Sequence, residues 1–418
     1  MDALFIPLAA AVGASLDQVK LISCLLVSYP LGSIFIRLPV SQPNLRHVFN
    51  VAVTSIYLLP ILNMGAAYFQ LLADILFTYY VAAYVRTSKM PWIVFGTIMS
   101  HLVLNHVIRA MLGQSYETYE ITGPQMVLTM KLTTFAWNVY DSRRPAEDLD
   151  KWQAEKRVSE YPSLLAFLGF AFYFPGFLVG PSLEYADYDT LIHGTLFQKL
   201  EKKDNTGRGS RRLVPKGRKR VAYRQMILGL ALLGTYVTFS GSANLTVTVQ
   251  DWYVKKGFLY RIAYLQFCGF IERTKGKSTW NGAANVDMLN LEFPPNFKVL
   301  LDSWNIKTNV WLRECIYKPG FRSSMLTFTT SAIWHGVQGG YYLTFAFGGF
   351  IQTAQRLCRR HIRPLILPAT YRAYDLRARC LILVLNYTVI PFMLLDAHRA
   401  GLLKGIRRRG SEGPYAGS

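Results

Sequence analysis

One histidine stands in an unusual place. His335 lies in SAIWHGVQGGYYLTF, inside the apolar run from Phe321 to Phe350. An imidazole in low dielectric with no carboxylate beside it stays neutral, and a neutral ring can take a proton from a hydroxyl. The competing reading is a core histidine whose ring is satisfied inside a helix bundle. Gly336 and Gly340 form a GxxxG step that would let another helix approach closely. A second cluster is SWNIKTNVWLRECIYKP, residues 303–319. On helical spacing Trp304, Thr308 and Trp311 share one face, while Asn305, Asn309 and Leu312 share the neighbouring one. Carboxamides donate to a carbonyl oxygen without carrying charge, which suits an oxyanion formed in an apolar passage. Lys307, Arg313 and Lys318 add positive charge that phosphates can use. The plainer alternative is an amphipathic helix with polar caps.

Other chemistries lack their residues. No Ser stands in GxSxG, no His has an acid five positions on, and neither GxxxxGK[ST] nor HExxH occurs. The five cysteines (Cys24, Cys268, Cys315, Cys358, Cys380) are scattered without a CxxC pair. That pattern argues against a disulfide framework and a zinc site, so no metal and no bound cofactor is expected.

The elements that must carry these residues follow from composition. The 418 residues are 51% hydrophobic and only 17% charged, too few charges to wet a soluble surface of this size. Runs of about 20 apolar residues suit a bilayer. They fall at 18–38, 46–64, 66–86, 91–112, 122–140, 161–181, 225–249, 257–272, 323–345 and 379–397, and 338–358 either forms another helix or continues the one before. The expectation is an all-α polytopic membrane bundle of about nine to eleven helices. Residues 1–16 lack a basic start and a small-residue cleavage site, so no signal peptide is expected. Several spans are impure. His101, Asn105, His106 and Arg109 sit in one and Lys131 in another, so these face protein or a wet cavity.

The net charge of +21 is concentrated in hydrophilic gaps. From Lys199 to Arg224 there are 11 basic residues against Glu201 and Asp204, with further basic clusters at 356–379 and 404–409. Such loops follow the positive-inside rule and favour anionic headgroups or a phosphate-bearing substrate; a nucleic-acid partner is disfavoured because the aromatics lie in the spans. The chain reads as one membrane domain, 1–418. It contains a basic cytosolic loop at 198–222, a polar and partly re-entrant region at 273–321 broken by Pro294 and Pro295, and a basic tail at 399–418. No internal repeat is evident, which disfavours an inverted-repeat transporter.

These residues carry a resemblance. WHGxxxGYxxxF (Trp334, His335, Gly336, Gly340, Tyr341, Phe345) and WNxxTNxWL (Trp304–Leu312) resemble the paired signatures of the membrane-bound O-acyltransferase family. EITGPQMVLTMKL (120–132), WNVYD (137–141), FYFPGFLVGP (172–181) and WNGAANVDMLNLEFPP (280–295) resemble its lysophospholipid acyltransferase branch, of the broad-specificity fungal type. The resemblance implies a bundle around a reaction chamber in the endoplasmic reticulum membrane, with acyl-CoA as co-substrate entering from the cytosol and a lysophospholipid entering laterally or from the lumen. It implies that His335 activates the free glycerol hydroxyl and that Asn305 assists at the thioester. Trp304, Lys307, Asn309, Trp311, Arg313 and Trp334 are then expected to line the substrates, and Asn281, Asn285 and Glu292 match further polar positions of the branch. It implies no oligomeric state. Members continue past 379–397 with another apolar span, whereas here AGLLKGIRRRGSEGPYAGS follows; this bears on stability, since both signatures lie upstream. Acylation of a sterol, diacylglycerol or protein hydroxyl is the alternative within the family, and a lipid transporter or scramblase the alternative outside it.

Overall fold

The computed structural model describes residues 1–114, 118–195, 217–239, 250–257, 259–261, 263–264, 285–287, 290, 297–321 and 323–362. Among these, every regular element is helical. The chain divides into two compact units, Met1–Tyr223 with Lys307–Phe350, and Arg224–Ile306 with Ile351–Ser418.

The first unit begins with α1 (Asp2–Val12), α2 (Leu16–Phe35), α3 (Pro43–Ile56, continued by a π turn to Ile61), α4 (Gly65–Tyr84) and α5 (Met90–Met111). Ser15 and Gln18 form a capping box that starts α2. At 1.5 Å per residue, helices of 20 to 22 residues reach about 30 Å. Among the described residues α2, α4 and α5 combine that length with enough apolar character to cross a membrane. Large side chains such as Phe69, Leu104 and Ile108 point out of the protein from them, as lipid-facing positions should.

The helix α6 (Thr122–Ser142) is the centre of this unit, because 17 of its 21 residues are buried, mostly by α4, α5 and the aromatic segment that follows. After α7 (Lys151–Lys156), that segment folds as α8 (Leu164–Ala171) and α9 (Phe174–Phe177), then α10 (Tyr185–Ile192). The expected span at 161–181 is therefore not one helix. Eight residues cover only about 12 Å, and the break at Phe172 is held by Thr54 Oγ1 donating to its carbonyl at 2.6 Å. Gly169 lets α8 lie directly on α3, since a Cβ there would sit 2.9 Å from His47 Cα. Phe135, Phe167, Phe170, Tyr185 and Tyr188 fill the resulting core with tilted and edge-on rings.

Two buried cations close helix ends in this core. Lys131 Nζ donates to the carbonyls of Phe170 (2.5 Å) and Ala171 (3.0 Å) at the end of α8. Arg46 donates to Leu191 (3.0 Å) and Ile192 (2.8 Å) at the end of α10. The last carbonyls of a helix have no internal partner, and a cation satisfies both their hydrogen bonds and their dipole.

In the second unit, which α11 (Arg218–Phe239) enters from the first, the short helix α12 (Asp251–Val254) brings Trp252 and Tyr253 against Tyr264, and Tyr253 Oη donates to the Arg261 carbonyl at 2.8 Å. Two helices follow, α13 (Phe297–Trp304) and α14 (Ile306–Leu312); Lys307 onward belongs to the first unit, as does a π-helical stretch over Arg313–Phe321. The chain continues as α15 (Ser324–His335) and α16 (Gly339–Leu357). The expected span 323–345 is thus two helices with a break at Gly336, and 338–358 belongs to a separate helix. Most of 198–222 and 257–272, and all of 379–397 and 399–418, lie outside the described residues.

Candidate active site

The WHG segment is a helix end. Ser323 caps α15 by accepting from Leu326 N–H, and the helix stops at His335 because Gly336 takes φ 135° and ψ −171°. Only glycine adopts that conformation readily. Gly336 is therefore a terminator, and the GxxxG contact expected of Gly336 and Gly340 does not form on a helix face. The turn instead folds α16 back so that Tyr341 and Phe345 stack on the imidazole of His335, at ring centroids of 5.4 and 5.1 Å. Trp334 meets the same imidazole edge-on at 4.7 Å. The ring is half-buried, and among the described residues no hydrogen bond reaches either of its nitrogens. A core histidine of the ordinary kind would have its ring nitrogens paired. This one is walled by aromatic carbon with its nitrogens left for an incoming group.

The wall is fixed from the neighbouring helices. Trp334 Nε1 donates to the Met126 carbonyl at 3.0 Å. Trp334 also packs on Trp311 at 5.7 Å, and Trp311 Nε1 donates to Thr133 Oγ1 at 2.9 Å. These indoles share a buried cluster with Met99, Leu102, Met130, Trp137 and Cys315. The structure thus joins three of the residues expected from sequence, Trp311, Trp334 and His335.

The WNxxTN segment does not form the continuous helix that its spacing suggests. Ser303 C=O accepts from Asp287 N–H at 2.9 Å, and Ile306 N–H donates to Asn285 C=O at 2.8 Å. Backbone groups that would have continued the helix are taken by residues 285–287, so the chain turns a corner at Asn305, between α13 and α14. Asn285 is brought to that corner through its backbone. The Oδ1 atom of Asn305 is buried and accepts no hydrogen bond among the described residues. Beside it Trp304 is 51% exposed. Asn309 lies in α14, half-buried and with an interaction of its own. Asn281 and Glu292 lie outside the described residues.

The three cations expected to receive phosphates each have an acidic partner. Lys307 lies 3.3 Å from Glu184, Arg313 Nε 2.7 Å from Glu314, and Lys318 2.5 Å from Asp150 and 2.6 Å from Glu314. Burial works against both charges of the Asp150–Lys318 pair. Even so, the ammonium holds Asp150 below its usual range, and Asp150 and Glu314 hold Lys318 above its own. An anionic ligand at these positions has to compete with a carboxylate already there. Sequence reading missed Asp150, Glu184 and Glu314, whose only signal was acidity in a strongly basic chain. It also missed Asp74, which binds His101 Nδ1 at 2.8 Å and accepts from Gln125 at 3.3 Å within the bundle. A carboxylate inside the apolar run 66–86 was the available clue. Among the described residues no group of three His, Cys, Asp or Glu side chains is placed to hold a metal ion.

Residues 45–390 match the model of the membrane-bound O-acyltransferase family. The chain is 36% identical to a lysophospholipid acyltransferase of Schizosaccharomyces pombe, over 92% of this chain and 82% of that protein. It is 33% identical to a lysophospholipid acyltransferase of Saccharomyces cerevisiae, over 95% and 72%. With the membrane-bound glycerophospholipid O-acyltransferase 1 of Mus musculus the identity is 30%, over 93% and 86%. The half-buried histidine at the end of α15, its indole wall and this similarity along nearly the whole chain agree, and the protein belongs to the membrane-bound O-acyltransferase family.

Proposed function

We propose that this protein transfers an acyl group from acyl-CoA to the free hydroxyl of a lysophospholipid, in the endoplasmic reticulum membrane. The observation that carries this reading is the imidazole of His335, walled by Trp334, Tyr341 and Phe345 and without a hydrogen-bond partner among the described residues. The names of the relatives narrow the acceptor to a lysophospholipid rather than a sterol, diacylglycerol or protein.

The chemistry asks little of the protein beyond positioning and one base. A ring nitrogen of His335 takes the proton of the acceptor hydroxyl as its oxygen forms a bond to the thioester carbon. The carbonyl oxygen gains the negative charge, and the Asn305 carboxamide is assigned to donate to it. Collapse of this adduct breaks the carbon–sulfur bond, and the CoA thiolate leaves with the proton returned by the imidazolium. Trp304, Asn309, Trp311 and Trp334 are assigned to the acyl and lysolipid contacts. Lys307 and Arg313 are assigned to the CoA phosphates, in competition with their carboxylate partners. Asn281, Asn285 and Glu292 are assigned to substrate binding with no more specific role. No metal or bound cofactor enters these steps.

Microsomes containing the protein, given one labelled acyl-CoA and a panel of lysolipids, should form labelled diacyl phospholipid and release free thiol in equal amounts. Lipid movement without thiol release would instead make it a transporter or scramblase, and label in a sterol ester or triacylglycerol would move the acceptor elsewhere. Gly336→Ala should leave the protein in the membrane but lower turnover. An alanine at φ 135° is strained by about 1–3 kcal/mol, and relief of that strain rotates the neighbouring His335. A misplacement of about 1 Å can cost roughly 100-fold in rate. Wild-type turnover in Gly336→Ala, measured at matched protein level, would show that the turn tolerates another geometry.

A further inference from the structure

His335 is held at the very end of a helix, where backbone order is usually weakest. A single side chain from another helix bonds the backbone just before it and faces the residue just after it. His106 of α5 lies with Nε2 3.2 Å from the Trp334 carbonyl, one residue before His335. A carbonyl only accepts, so this bond requires the ring proton on Nε2. The other edge of the same ring faces the residue after His335: a Cβ built on Gly336 would lie 3.4 Å from His106 Nδ1 and 3.7 Å from Cε1. Both His106 and Trp334 are buried.

We propose that His106 is a positioning residue for acyl transfer, clamping the Trp334–Gly336 turn so that the imidazole of His335 keeps its place against Tyr341 and Phe345. The inference rests on the reading of His335 as the general base. An imidazole in a membrane-spanning helix is costly, and an aliphatic side chain would fill the same space. What an aliphatic side chain lacks is a donor for the carbonyl next to the reacting ring. The second tether, Trp334 Nε1 on the Met126 carbonyl, fixes the indole but does not engage the Trp334 carbonyl itself. The clamp has a rigid base, because α5 packs along α4 and α6, and Arg109, a turn beyond His106, is tied to Glu120 at 2.9 Å.

The test compares H106A, H106Q and H335A with wild type in detergent-solubilised full-length protein. Acyl-CoA and lysophosphatidylcholine are varied separately, and size-exclusion profiles report folding. H106A should lower kcat by roughly 10- to 100-fold, with both KM values within about twofold of wild type, as expected of a misaligned base. The side-chain amide of H106Q donates from nearly the position of Nε2, so it should recover most of the lost kcat. Wild-type kcat in H106A overturns the proposal, as does a loss confined to KM, which would place His106 against substrate. Equal losses in folded H106A and H106Q also overturn it, by pointing to proton transfer through the ring. Aggregation of both variants would make His106 a residue of fold stability and would equally overturn it. Wild-type turnover in H335A is a separate result, and it removes the assignment of the base itself.

Discussion

His335→Ala is expected to lower acyl transfer by about 100- to 10,000-fold, the range typical for loss of a positioned general base. In transition-state terms that is about 2.7–5.4 kcal/mol. The loss should fall on chemistry, because the surroundings of the ring do not depend on the ring for their own order. Trp334 is tethered to the Met126 carbonyl, Trp311 to Thr133, and Gly336 N–H to the carbonyls of Ala332 and Ile333. What alanine removes is the aromatic contact with Tyr341 and Phe345 and the two ring nitrogens. His335→Phe separates these, since it keeps a planar ring in the stack and deletes only the nitrogens. Both variants should reach the membrane at wild-type level, hold acyl-CoA and turn over at the same low rate. The check is initial rate at saturating substrates, normalised to protein by immunoblot. A rate above about a tenth of wild type in either variant would exceed what loss of a general base allows and would make His335 a structural residue.

Part of the bundle is legible because crossing a bilayer imposes a length, and α2, α4 and α5 coincide with long apolar runs. The two misjudged spans share one physical origin. An apolar run states that its residues avoid water, and burial against protein satisfies that as well as lipid does. The run 161–181 is apolar because α8 and α9 sit in an aromatic core on α3 and α6, and the run 323–345 continues through a glycine that ends a helix. At Gly336 the spacing to Gly340 suggested a packing step, but a positive φ is a property of the folded backbone and not of a motif. The corner at Asn305 was hidden for another reason. The groups that break the helix belong to residues 285–287, and such backbone competition leaves no trace in side-chain periodicity. Lys131 and Arg46 find carbonyls about 40 and 146 residues away, so sequence could mark them as unusual without naming their partners. Residue types marked His335, Trp311 and Trp334 for attention, and the fold packs them against one another, while His106 was visible only as an impurity in an apolar span.

Asn305→Ala should lower kcat by about 100- to 1,000-fold with smaller changes in either KM, which is the cost of removing one donor to a developing oxyanion, about 2.7–4 kcal/mol. The argument is local. A residue inside a regular helix presents its side chain in a direction fixed by its neighbours, but Asn305 occupies the gap between α13 and α14. Two backbone bonds from Asn285 and Asp287 hold that gap open. Its Oδ1 is buried and accepts nothing among the described residues, so the carboxamide is not used up in holding the corner together. Asn309, by contrast, lies within α14 and already has an interaction. Asn309→Ala is expected to change kcat by less than about tenfold, the scale of losing one ordinary hydrogen bond. A third variant separates donating from accepting. Asn305→Asp keeps the shape and the acceptor atoms but deletes the NH2 group and adds negative charge. If the amide donates to the oxyanion, Asp is at least as damaging as Ala, because a carboxylate repels the charge that forms. If the amide instead accepts from the acceptor hydroxyl or from CoA, Asp retains a large part of the wild-type rate and Ala does not. Steady-state rates for the three variants at matched expression therefore decide the role of Asn305. A larger loss in Asn309→Ala than in Asn305→Ala would transfer that role to the second amide.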